Sequence, residues 1–300
     1  MKKKKILMVL LSLILSVTTL TACGNETSSE KEPTTLSDQV NATCMVGVGS
    51  TVLQNIKGDY KVSSYNDLDK VTANITSGKS DVAVLPTSTA AKLYGKTKGN
   101  IVEISPASLG GVYILSNGYY IEDPKISSLS GKTIVICGHD TTAEYVLDNL
   151  MTAAGISTET GVTVKYVRTY AALEKALTTY GTVALATQPY AKRILKNNSS
   201  VIKFMDLNEK WKETENEEII TDVVVASKDF AEKHSDDLKV FINNYETALE
   251  NTEKSSCDFV FYGASNRGIT LLKKFNDTMY NYNSSTFGNK KPKQSMYYQK

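Results

Sequence analysis

From about Ala42 onward, short and nearly continuous apolar runs alternate with longer segments whose apolar residues recur every three or four positions. Asp81-Val82-Ala83-Val84-Leu85 and Ile101–Ser105 are runs of the first kind. Val112–Leu115, Thr133–Cys137, Val162–Arg168, Val183–Thr187 and Val223–Ala226 follow them. Runs this short and this apolar predict strands covered on both faces. The periodic segments predict helices. Thr141-Thr142-Ala143-Glu144 reads as a capping box, with the Thr141 hydroxyl accepting from a first-turn N–H and Glu144 reaching back. Ala143, Val146, Leu147, Leu150 and Met151 then share one face, and Gly155 closes the run. Leu173, Ala176, Leu177 and Tyr180 form a second stripe, closed by Gly181. A third, Leu238, Phe241, Ile242, Tyr245 and Leu249, is entered through Ser235-Asp236-Asp237. Strand and helix in alternation predict an α/β fold with a mainly parallel sheet.

The N-terminal segment follows a different pattern. Met1–Lys5 is cationic and Ile6–Leu20 largely apolar, about fifteen residues where a spanning helix needs about 20. This fits an export signal. Leu20-Thr21-Ala22-Cys23, followed by Gly24, resembles the lipobox of bacterial lipoproteins. The resemblance implies cleavage before Cys23, lipidation of that residue and a place on the outer face of the cytoplasmic membrane. The alternative is a signal-anchor with an incidental cysteine. The polar stretch Asn25–Val40 reads as a tether, so the expected division is signal peptide 1–22 and tether 23–41.

Composition narrows the function classes. In 300 residues, 41% hydrophobic and 22% charged positions suit a packed core rather than a disordered chain. The net charge of +2 depends on Lys2–Lys5. Without those four the basic residues fall from 34 to 30 against 32 acidic ones, a net of −2. A polybasic nucleic-acid binder is therefore excluded. Cys44, Cys137 and Cys257 show no CxxC spacing and allow at most one disulfide. Their plain reading is as small buried apolar residues.

In α/β sheets ligands lie outside the carboxyl ends of the strands. The residues there are small and polar: Gly49-Ser50-Thr51 after Val46-Gly47-Val48, Pro86-Thr87-Ser88-Thr89, Gly138-His139-Asp140-Thr141-Thr142 and Gln188-Pro189-Tyr190. Hydroxyls and free N–H groups at helix N-termini suit a hydrogen-bonding ligand. The candidate binding residues are Gly49, Ser50, Thr51, Pro86, Thr87, Ser88, Gly138, His139, Asp140, Thr141, Thr142, Gln188 and Tyr190. The alternative, for each turn taken alone, is ordinary helix capping. Asp140 at a helix N-terminus satisfies the dipole itself and repels anions, favouring a neutral, polar or weakly cationic solute. Tyr113, Tyr145, Tyr170 and Tyr190 flank these turns as candidate stacking surfaces, with core or rim packing as the alternative.

Other chemistry finds little footing. Gly131-Lys132-Thr133 lacks the first glycine of a phosphate loop, Ile126 standing there. Gly263-Ala264-Ser265-Asn266-Arg267 has Arg267 where a nucleophile elbow requires glycine. No spacing of metal ligands occurs. Cys137 and His139 lack a third orienting group. His234 reads as a solvated surface residue, and Trp211, in a Lys/Glu-rich stretch, as packing a surface helix.

Several segments, in order, resemble bacterial substrate-binding lipoproteins that serve ABC importers. They are Asp81 through Tyr94 (DVAVLPTSTAAKLY), Leu129-Ser130-Gly131-Lys132-Thr133-Ile134, Ala143-Glu144-Tyr145-Val146-Leu147, Ala186-Thr187-Gln188-Pro189-Tyr190, and the tail from Cys257-Asp258-Phe259-Val260-Phe261 through Phe287-Gly288 to Tyr297-Tyr298. The group is that of the nitrate, sulfonate and thiamine-pyrimidine binders. The resemblance implies an α/β, two-lobe, type II periplasmic-binding-protein-like fold, each lobe a mainly parallel sheet flanked by helices. It places lobe one at 42–117 plus 226–300, lobe two at 126–221, and hinge crossings at 118–125 and 222–225. It further implies a monomer without catalysis or cofactor that holds a small solute in the cleft and hands it to a membrane permease. The chain departs from the pattern in two places. Only Gly49 to about Ile56 is available for the first helix before Gly58 and a strand near Val62, and an additional helical segment near Thr252–Cys257 is shortened. These departures motivate the alternative of a sensor or scaffold lipoprotein of the same fold that does not transport.

Overall fold

The apolar runs become strands and the periodic segments helices. The computed structural model describes residues 34–157, 161–252 and 265–299. In chain order the elements are β1 (Val40–Met45), α1 (Val48–Leu53), β2 (Tyr60–Tyr65), α2 (Leu68–Thr76), β3 (Val82–Pro86), α3 (Thr87–Lys96), β4 (Ile101–Leu109), β5 (Val112–Asn117), β6 (Thr133–Cys137), α4 (Thr142–Ala153), β7 (Thr163–Val167), α5 (Tyr170–Ala176), β8 (Val183–Thr187), α6 (Tyr190–Asn197), β9 (Val201–Asp206), α7 (Leu207–Glu215), β10 (Ile220–Ser227), α8 (Lys228–Lys233), α9 (Ser235–Glu250) and α10 (Asn266–Tyr282). The export signal, Cys23 and most of the tether, like Cys257, lie outside the described residues. Among the described residues no helix is long and apolar enough to cross a membrane.

The strands form two five-stranded sheets of matching order, β2-β1-β3-β10-β4 and β7-β6-β8-β5-β9. In each sheet four strands run one way. The reversed one, β10 in the first and β5 in the second, is the strand that arrives from the other sheet. Helices on both faces explain the unbroken apolar runs. Ala83 and Leu85 of β3 enter one core cluster, while Val82 and Val84 enter another on the opposite face. β8 divides likewise, Val183 and Leu185 to one side, Ala184 and Ala186 to the other.

The crossings are not where the sequence places them. β4 ends at Leu109 and β5 begins at Val112, so the first passage is Gly110–Gly111 rather than 118–125. Both glycines adopt positive φ, 60° and 69°, which lets the chain turn between sheets in two residues. Val112–Asn117 therefore belongs to the second sheet, paired with β8 and β9, and not to a first lobe of 42–117. The return passage precedes β10. Residues 222–225 lie inside that strand, hydrogen-bonded to β3 on one side and β4 on the other. The tether also ends earlier than 41, since β1 starts at Val40 and Ser37 is already fixed, its N–H and Oγ donating to Asp237 at 2.6 Å each. The first helix, α1, is short as expected.

Trp211 packs a surface helix, α7, onto the core, as read from the sequence. It is fully buried, its ring 5.8 Å from Phe275 of α10, while the charged residues of α7 take the outer face. The core cluster that holds it contains residues flanking both sheets. Cys44 is a buried thiol as expected, and Cys137 a half-buried one.

Candidate functional site

The carboxyl ends of the strands in the two sheets meet. β3 delivers Pro86 to the start of α3, and β6 delivers Cys137 to the turn before α4. These two turns hydrogen-bond directly. The Ser88 N–H donates to Thr142 Oγ1 at 3.1 Å, and Ser88 Oγ donates to the Asp140 carbonyl at 3.1 Å. Lys92, one turn into α3, pairs its ammonium with the Asp140 carboxylate, which also accepts from the Tyr145 hydroxyl at 3.1 Å. A second bridge lies beside the first. Tyr190, at the start of α6, donates its hydroxyl to the Val46 carbonyl at 2.8 Å. Its ring stacks on Tyr170 at 3.6 Å and 10°, and Tyr170 shares a 2.6 Å hydrogen bond with Thr187.

The candidate residues fall into two groups. Ser88, Asp140 and Thr142 converge across the sheets, and Tyr190 meets the turn that leads into Gly49. The hydroxyls of the others are engaged without crossing between the sheets. Thr87 is buried and donates to the Ile220 carbonyl at 2.7 Å. Ser50 and Thr51 donate to the Gly47 carbonyl at 2.8 and 2.9 Å, closing their own turn. Thr141 caps α4 by accepting from the Glu144 N–H. Glu144 does not complete the capping box, because its carboxylate accepts from the Tyr166 hydroxyl and meets His139 Nδ1 at 2.9 Å. Gly49 packs backbone against Val84, and Gly138 turns at φ 81°. Pro86 is half-buried at the strand end. Gln188 points toward the first crossing, its N–H on the Gly111 carbonyl and its Nε2 3.3 Å from the Tyr113 hydroxyl. A cavity of about 280 Å³ at that crossing is lined by Gly110, Gly111, Tyr113, Asp206, Asn208 and Glu218, and by none of the candidate turn residues.

Electrostatics sort the titratable groups. Burial pushes Asp140 upward, but Lys92, Tyr145 and His139 outweigh it and hold the carboxyl below its usual range. Asp148 is pushed up to about 6 by burial and by the charge of Glu144. Asp222 is pushed up to about 6 by burial, against a 2.7 Å hydrogen bond from Ser108. Burial also raises the Cys137 thiol to about 11, the opposite of nucleophile activation; His139, read as lacking an orienting partner, has one in Glu144, and its Nε2 lies 3.5 Å from Asp140. Of the described residues, Asp38, His234 and Asp237 bring three potential metal-ligating atoms within 4.8 Å, but both Asp237 oxygens already accept from Ser37. His234 is exposed, as expected. Sequence reasoning missed Lys92 and Asp222. The one available signal for Asp222 was a carboxylate interrupting the apolar run that begins at Ile219.

Two sheets of matching order, joined by short crossings and facing each other at their strand ends, make up the fold of a periplasmic binding protein. Solved structures share it. An ABC transporter from Parabacteroides distasonis matches with 15% identity and a TM-score of 0.62, over 87% of this chain and 99% of that one. The ligand-binding component of an ABC-type import system from Staphylococcus aureus, with zinc bound, matches with 13% identity and a TM-score of 0.64, over 87% and 97%. The periplasmic aliphatic sulphonate binding protein of Escherichia coli matches with 12% identity and a TM-score of 0.62, over 87% and 92%. No curated protein matches the sequence. Residues 59–254 match the family described as NMT1/THI5 like, and the chain belongs to that family. The resemblance read from the sequence agrees with both findings.

Proposed function

We propose that the protein is an extracytoplasmic solute-binding protein, anchored through a lipid on Cys23, that captures a small polar molecule between its two sheets and delivers it to an ABC permease. The observation that carries this reading is the meeting of Ser88 with Asp140 and Thr142, polar strand-end groups from opposite sheets. The family and the fold support it, and the names of the structural neighbours point the same way. The role requires no covalent chemistry of the chain. Closure around the solute is driven by its greater affinity for the closed form. The lipobox supports the anchor. Replacement of Cys23 by Ser is expected to move the protein from the membrane fraction to the soluble one.

A ligand that binds only the folded state adds RT ln(1+[L]/Kd), about 2.7 kcal/mol at a hundredfold excess over Kd. The chain from residue 23, with Cys23 replaced, is therefore expected to melt several degrees higher with its solute in a metabolite panel. A panel of metabolites without any shift contradicts the reading.

A further inference from the structure

Asp222 is a carboxylate that no ion pair among the described residues involves. It sits at the cleft end of β10, its Cα paired with Pro86 of β3 and Ser108 of β4. The ladder to β4 slips register on both sides of it, between Ile220 and Asp222 and again between Asp222 and Val223. Irregularities of this kind re-aim a side chain beside functional sites. Oδ2 accepts from the Ser108 hydroxyl. Oδ1 takes none of the hydrogen bonds formed among the described residues, and none of their ion pairs involves Asp222.

Its register partner Pro86 leads into α3, whose Ser88 reaches Asp140 and Thr142 at the end of the second sheet. The charge of Asp222 acts on Tyr170 of α5, beside the second sheet, and on Tyr245 of α9, beside the first. Tyr170 is one face of the stacked pair with Tyr190. Arg193, 5.0 Å from the Tyr190 ring, is paired with Glu174 at 3.2 Å. Asp140, at the facing turn, already holds Lys92, whereas no cation among the described residues pairs with Asp222. Burying a charge without a partner is costly, and a partner of opposite charge offsets that cost.

Taking solute capture in the cleft as given, we propose that Asp222 selects solutes bearing a protonated amine or amidinium group, which binds Oδ1 while the rest of the solute lies against the Tyr170–Tyr190 pair. This sets the ligand's charge opposite to that of the sulphonate named for the Escherichia coli neighbour.

The test uses the chain from residue 23, which retains the whole compact unit 33–300. Benzylamine, benzamidine, benzenesulfonate, benzoate and benzyl alcohol share one ring and differ in charge. Thermal shift and calorimetry at about pH 8, where Asp222 is ionised, compare all five. The expected result is binding of at least one of the two cations, weakened at least about tenfold in Asp222→Asn with the unliganded melting temperature not lowered. Should that variant not fold, Asp222→Thr, compatible with a strand, takes its place. Cation binding unchanged by the substitution, or binding of the sulfonate, carboxylate or alcohol alone, overturns the inference and leaves solute capture standing. Binding of none of the five overturns it as well. Solute capture falls with it only if the native protein also releases no small molecule.

Discussion

Glu103 lies inside β4 with 1% of its surface exposed. Its Oε2 accepts from Asn276 at 2.8 Å, and Oε1 is buried with no partner among the described residues. Burial pushes this carboxyl up to about 8 from an ordinary 4.5. Between those values the folded chain holds a proton that the unfolded chain has released, so stability falls as pH rises through the window and levels off above it. Asp148 and Asp222, each raised to about 6, add to the same fall at its acidic end. Asp140 and Asp237, both held below the usual range, act the opposite way and only in more acidic solution. Urea unfolding at about pH 5, 6.5 and 8 is expected to show a decline of up to about 5 kcal/mol. Glu103→Gln should remove most of it, and an unchanged slope in that variant contradicts the assignment. The same scale explains why Ser50, Thr51 and Thr87 read as ligand groups in the sequence. A hydroxyl after a strand looks alike whether it faces a cleft or closes its own turn, and only the fold shows that Thr87 is spent on Ile220.

Elements are set by how closely they approach and how they begin. A Cβ on Gly49 would sit 2.7 Å from Val84 Cβ, so α1 rests on β3 only because that side chain is missing. Gly49→Ala is expected to cost about 1–3 kcal/mol. Val84→Ala in the same chain should recover part of the loss, and a double-mutant cycle with no coupling contradicts the contact. Thr141→Ala removes the cap of α4 and is expected to cost about 1 kcal/mol in urea unfolding, because the Glu144 side chain, held by His139 and Tyr166, does not serve as a second cap. Two strands were legible to the residue, while β3, β4, β5 and β10 have ends one to four residues from those read. Thr133–Cys137 and Val183–Thr187 are β6 and β8 as read. β9 was not legible, because it is an edge strand whose Lys203 interrupts the apolar run. The crossing was misplaced because Val112–Leu115 is as apolar as any first-sheet strand, and composition does not tell which sheet a strand joins. Ser88, Asp140 and Thr142 carried a visible signal as polar groups at strand ends. Lys92, inside a helix, and Asp222, inside a strand, carried none of that kind.

Across the whole molecule the two sheets share one core cluster, which runs from Leu85 and Ile101 beside the first to Ile134 and Leu185 beside the second. Trp211 links α7 to α10 within it, and as the only tryptophan of the chain it reports on that junction. Unfolding followed by its fluorescence and by far-ultraviolet circular dichroism is expected to give one coincident transition. Two separated transitions contradict a shared core. Trp211→Ala should cost about 3–5 kcal/mol. Ser88 on Asp140 and Tyr190 on Val46 already bridge the halves, and under the proposed function a solute between the sheets adds its contacts to these. The most direct measurement is mass spectrometry of small molecules released on denaturing the freshly purified native protein. The account predicts one solute in near-equimolar amount whose readdition raises the melting temperature. Release of nothing, together with no change in melting temperature across a broad panel, contradicts it.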